Sequence, residues 1–147
     1  SIGAHPAFNC NLGDTLTFEY DETLYSERID RDSVITGDKD LILQNSNKIE
    51  LTEHLFDKDA LIFSNVKSNY VILNEKKAGK HIRFTFGDSP FLAIWAKPAA
   101  PFVCIEPWYG VNDSYEKTTD FSKKRGIQKL SSDEKFEFSW SAEFKED

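Results

Sequence analysis

The chain has 147 residues, long enough for one domain with a buried core, and 25 acidic against 18 basic side chains leave it a net charge of −7. That balance speaks against nucleic acid and against anionic membrane surfaces, which both need basic patches. A neutral ligand is indifferent to it. No apolar run is long enough to span a bilayer. Residues 1–12, SIGAHPAFNCNL, have neither the basic start nor the continuous apolar stretch of a signal peptide. Two cysteines, Cys10 and Cys104, make neither a disulfide framework nor a zinc site, and we expect reduced thiols in a cytoplasmic protein.

In chain order, the first feature is Gly3-Ala4-His5-Pro6-Ala7-Phe8-Asn9. Small neighbours leave space beside the imidazole, and a histidine titrates near neutral pH, which suits general acid work. The alternative is a histidine that caps a loop. Leu16, Phe18 and Tyr20 then alternate with Thr17 and Glu19, the period of a strand with one wet face. Thr52 is a plausible N-cap for a single helical turn over 53–57. Further strands are predicted over 60–64 (ALIFS), 69–74 (NYVILN), 82–86, 91–97 (FLAIWAK) and 102–106 (FVCIE). Turn chemistry separates them at 74–79, 87–90 and 97–101. Residues 110–120 read as an exposed loop, and Lys123-Lys124-Arg125 as a solvated face. The last strand is predicted over 136–144, with Phe136, Phe138, Trp140, Ala142 and Phe144 facing one way. Many short strands and no convincing amphipathic helix imply an all-β sandwich or barrel.

One residue is out of place in this pattern. Glu106 sits inside the apolar run PFVCIEPWYG and shares a face with Phe102 and Cys104. An ionised carboxylate in a dry place costs several kcal/mol unless it is paired. Two readings stay open from the residues alone. Glu106 is a strand-end carboxylate that reaches water or a lysine, or it is desolvated, with a raised pKa, and serves as a base. His54 and His81 carry less signal. No two histidines have metal-ligand spacing, so no metal site is expected. Asn112-Asp113-Ser114 matches a glycosylation sequon of a kind that is common by chance.

Three stretches together resemble the aldose 1-epimerase (galactose mutarotase-like) family, and within it the LacX-type branch. They are residues 2–10 (IGAHPAFNC), 55–63 (LFDKDALIF) and 100–110 (APFVCIEPWYG), with a weaker fourth from Lys124 to Trp140. The resemblance implies a large antiparallel β-sandwich with a sugar in an open cleft. It implies that this chain is the C-terminal half of one such domain, with an N-terminal segment as its missing partner. It implies roles too: His5 as general acid, Glu106 as general base, and Asp59 as a ligand of sugar hydroxyls, with Asp57 two residues away on a similar face. Trp108 or Trp95 is placed to stack on the sugar, or to pack the core. The implied activity is interconversion of α and β anomers of an aldohexose by acid–base ring opening, without cofactor or metal. The alternative is a carbohydrate-binding protein on the same scaffold, because fold does not fix activity.

Overall fold

The computed structural model describes residues 1–76, 79–116 and 120–146. Ten strands are present among them: β1 Ile2–Gly3, β2 Ala7–Asn9, β3 Thr15–Ile29, β4 Ile35–Glu50, β5 Leu61–Ser64, β6 Tyr70–Asn74, β7 Lys80–Thr85, β8 Phe91–Trp95, β9 Phe102–Tyr109 and β10 Ser141–Glu146. A short 3-10 turn, Phe121–Lys123, is capped by the Asp120 carboxylate. The strands form one sheet in the order β1-β9-β8-β5-β3-β6-β7-β10, with β2 also on β9 and β4 on β3. The ladders are antiparallel, and a single parallel bridge joins Ile35 to Ser114.

The sheet curls until its two ends meet. Phe8 on β2 lies edge-on to Phe84 on β7, with ring centroids 5.6 Å apart, although these strands lie far apart in the sheet order. The inside of the curl is apolar: Leu16, Phe18, Phe63, Val71, Leu73, Phe84, Ile94, Val103 and Ile105 are buried in one cluster. Burial of apolar area on this scale supplies most of the driving force for folding. The all-β expectation therefore holds, and the layers of the expected sandwich are parts of one continuous sheet.

β5 and β8 are covered on both faces, which is why LIFS and FLAIW read as unbroken apolar runs instead of alternating ones. Their second face carries Ile62, Phe91 and Ala93, packed with Ile35, Val111 and Trp108. This face becomes the floor of the site.

Several expectations need correction. The long hairpin β3–β4 extends well beyond the predicted strand at 16–20, and β4 was not predicted. Register shifts between Thr17 and Ile29 break the period of two by which a strand is recognised in sequence. The hairpin turn itself has clear chemistry: the Asp30 carboxylate accepts from the backbone N–H groups of Asp32 and Val34, both at 2.9 Å. Residues 53–57 form overlapping turns and no helix. The strand expected over 136–144 is hydrogen-bonded only from Ser141. Before it, Phe136 and Phe138 pack on Tyr109, at 4.9 and 5.3 Å between ring centroids, and Trp140 stacks on Phe84. The alternation of that segment is real, but it serves side-chain packing. The turn expected at 74–79 and the loop at 110–120 include residues 77–78 and 117–119, which lie outside the described residues.

Candidate functional site

The second face of β9 presents Cys104, Glu106 and Trp108. Their cross-strand partners on β8 are Trp95, Ala93 and Phe91. Directly opposed residues share a face, so Ala93 puts only a methyl group beside the Glu106 carboxylate and leaves lateral room above it. One row of paired residues crosses five strands here: Lys39 on β4, Glu27 on β3, Ile62 on β5, Ala93 on β8 and Glu106 on β9. Two apolar residues thus separate its two buried carboxylates.

His5 reaches the site from the chain's first segment. β1 and β2 both pair with β9, and the gap between them holds Ala4, His5 and Pro6. The Ala4 N–H donates to the Pro107 carbonyl at 3.1 Å, and the Ile105 N–H donates to the Pro6 carbonyl at 3.2 Å. These two bonds pin the segment on either side of the imidazole. Pro6 has no N–H to offer the ladder, and Pro107 none to offer back, so the strand pairing breaks where His5 sits. Gly3 is required just before it, because a Cβ there would lie 2.7 Å from the Trp108 ring.

The pair is asymmetric. The Glu106 side chain is 4% exposed and that of His5 is 63% exposed, with Nδ1 of the imidazole 3.3 Å from Oε1 of the carboxylate. The Trp108 indole N–H donates to the other oxygen, Oε2, at 3.2 Å. Burial lifts the Glu106 carboxyl above the usual carboxylate range; the neighbouring His5 and the indole N–H pull against that shift. Cys104 adjoins the same pair: one ligand atom of each of the three residues lies within 4.8 Å of the others. Burial and the Glu106 charge push its thiol up to about 11. Both cysteines are buried and free.

Two adjoining hollows meet at this pair. One, of about 490 Å³, runs along β1 and is closed by Gly110, Asn112 and Lys124. The other, of about 260 Å³, lies over Ile62 and is bounded by Asp59, Ala60 and Trp95. His5, Glu106, Trp108 and Asn112 belong to both. Together they have the size of a small-molecule site.

The other sequence candidates fall as follows. Asp59 lines the hollow with His5 and Glu106, and its backbone is left-handed at φ 80°. Asp57 lies in a neighbouring depression, paired with His54 at 2.9 Å. Trp95 meets the His5 ring edge-on at 6.3 Å. His81 is on β7. The basic run is not one solvated face. Lys123 is exposed, but Lys124 lines the larger hollow with its ammonium 2.6 Å from Asp113, and Arg125 reaches the buried Glu27 at 2.6 Å. Gly126 makes this approach possible: its φ is +74° and a Cβ there would meet Phe91 at 2.7 Å. Sequence reasoning missed Asn112, Lys124 and Cys104 as site residues. Only Cys104 had a local signal, its shared strand face with Glu106.

No family model matches the chain. Two curated relatives, the plasmid and chromosomal LacX proteins of Lactococcus lactis subsp. lactis, are each 34% identical over 88% of this chain and 46% of their own length. The chain therefore spans about half the length of the curated relatives it matches. Among solved structures, a galactose mutarotase related enzyme from Lactobacillus acidophilus superposes with a TM-score of 0.85 at 27% identity, over 97% of this chain and 51% of the other. A galactose mutarotase-like protein from Lactobacillus casei ATCC 334 gives 0.85 at 28%, over 97% and 52%. Sequence and fold agree along nearly the whole chain, which is similar to the LacX proteins and has a galactose mutarotase-like fold.

Proposed function

We propose that this chain carries the acid–base half of an aldose 1-epimerase. The observation that supports the reading is the pair itself: a buried carboxylate with a raised pKa, held against an exposed imidazole at 3.3 Å, on the wall shared by two open hollows. A structural carboxylate has no need of an exposed, neutralisable partner facing empty space.

The chemistry follows from the residue types. Glu106 removes the proton from the C1 hydroxyl of the pyranose. The electrons of that O–H bond become the second bond of the C1 carbonyl, and the bond from C1 to the ring oxygen breaks. His5 delivers a proton to that oxygen. Rotation about C1–C2 presents the other carbonyl face, and closure runs the same transfers backwards. Each group must both take and give a proton, and a carboxyl whose pKa is raised by burial is a better base for this than a solvated one. Acid–base ring opening requires no redox change and no cofactor. Asp59 binds a sugar hydroxyl from the far side of the smaller hollow, and Trp95 or Trp108 supports the apolar face of the ring.

The same reading makes residues 1–147 the C-terminal half of one larger domain. The remaining segment supplies further groups that position the sugar. The test is polarimetry on freshly dissolved α-glucose or α-galactose with the full-length protein. Faster approach to anomeric equilibrium, lost in Glu106→Gln and in His5→Asn, supports the reading. No acceleration by the full-length protein would leave sugar binding without catalysis as the better account.

A further inference from the structure

Beside the acid–base pair, the ring-opening chemistry leaves one buried thiol unused. Cys104 is 2% exposed. One ligand atom each from His5, Cys104 and Glu106 falls within 4.8 Å of the others. An imidazole, a thiol and a carboxylate together form a donor set that borderline divalent ions favour.

We propose that His5, Cys104 and Glu106 form a three-ligand site for a borderline or soft divalent cation, of which Zn²⁺ and Cd²⁺ are the probes. Three protein ligands leave the fourth position to water from the hollow along β1, the arrangement of an open site. Bond lengths near 2.0–2.3 Å place tetrahedral donor atoms about 3.3–3.8 Å apart. The triad closes onto an ion with a movement on the order of 1 Å. His5 is free to make it, because its side chain is 63% exposed while the other two ligands are fixed on β9. The ion displaces the thiol proton to solvent, so binding weakens as pH falls. An ion so held occupies both groups of the acid–base pair. Inhibition of mutarotation therefore rests on the function proposed above, whereas the site does not.

The experiment is a titration of the full-length protein with Cd²⁺, followed by the ultraviolet sulfur-to-metal charge-transfer band, with Zn²⁺ as competitor. We expect a saturable band at one ion per chain. It should be absent in Cys104→Ser and Cys104→Ala and retained in Cys10→Ala. Affinity should fall roughly tenfold or more in His5→Ala and in Glu106→Gln. Circular dichroism checks that each variant is folded. A band that survives loss of Cys104, or one indifferent to both His5 and Glu106, overturns the site. In the polarimetric assay, Zn²⁺ should suppress acceleration with the same midpoint, in competition with the aldose. Full activity at saturating Zn²⁺ overturns the blocking. A metal-free protein that never accelerates mutarotation, but still shows the Cys104-dependent band, overturns the enzymatic reading and supports the site.

Discussion

Glu27 and Glu106 lie in the same cross-strand row and are almost equally buried, yet their partners differ. Glu27 is held by the Arg125 guanidinium at 2.6 Å and accepts from the Ser64 hydroxyl at 3.3 Å. Glu106 has the His5 imidazole at 3.3 Å and the Trp108 indole N–H at 3.2 Å. The first arrangement holds its carboxylate with a guanidinium and a hydroxyl. The second leaves burial as the largest influence on its carboxyl, which is raised above the usual range. Two buried glutamates on one sheet face thus divide into a latch and a candidate base, and the partners beside each decide which is which.

The largest effect that tests this contrast is on rate. Glu106→Gln should cost about a hundred- to ten-thousand-fold in acceleration of mutarotation, measured by polarimetry on the full-length protein. A nearly normal rate would put Glu106 back among structural carboxylates. The same variant should be more stable than the parent at about pH 8. A carboxyl whose folded pKa is raised contributes stability below its ordinary value of 4.5, and loses that contribution as pH rises through the folded value. Glutamine has no such loss, so the difference in thermal midpoint should shrink toward about pH 4.

Next comes the latch. Arg125→Ala strands a carboxylate that is 2% exposed, and the half-exposed position of Arg125 moderates the cost to about 2–3 kcal/mol in denaturant unfolding. Arg125→Lys should recover part of it. If Arg125→Ala unfolds at the parent's midpoint, the distinction between the two glutamates fails on the structural side.

A smaller effect is expected from Trp108→Phe. It removes the indole N–H that donates to Glu106 and keeps an aromatic ring. One lost hydrogen bond to a charged group is worth about 1.5–3 kcal/mol. The basic form of Glu106 loses its support, so the acid limb of the pH–rate profile should move to higher pH. An unmoved limb would remove Trp108 from that role.

The smallest is a surface control. Arg28 pairs with Asp40 through its Nε at 2.6 Å and holds that carboxyl down to about 2. Stability from this pair is present above the ordinary value of 3.8 and is lost as pH falls through about 2, opposite in sign to Glu106. Asp40→Asn should lower the thermal midpoint slightly at neutral pH and flatten the acid side of the profile, so that its gap to the parent closes as pH falls through about 2.

Much of the fold is legible in the residues. The period of two in β3 and β7, the apolar runs of β5 and β8, and the turn chemistry at 87–90 and 97–101 follow from side-chain alternation and backbone stereochemistry, both local properties. β4 was not legible, because bulges shift its register and erase the period. The segment 136–140 misled for the converse reason: alternation predicts which side chains face inward, but not whether the backbone has a strand to bond.

The site divides in the same way. His5 and Glu106 stand out by residue type and neighbours, and the oddness of a carboxylate in PFVCIEPWYG is visible without a structure. That Cys104 shares their corner, that Lys124 and Asn112 close the hollow, and that Arg125 belongs to Glu27 depend on contacts between residues far apart in the chain, 98 positions in the last case. From the residues alone it follows that a charge sits in an apolar strand. Its company does not follow from them, because burial and the nearest basic group are set by which strands lie side by side, and strand order is a property of the whole sheet.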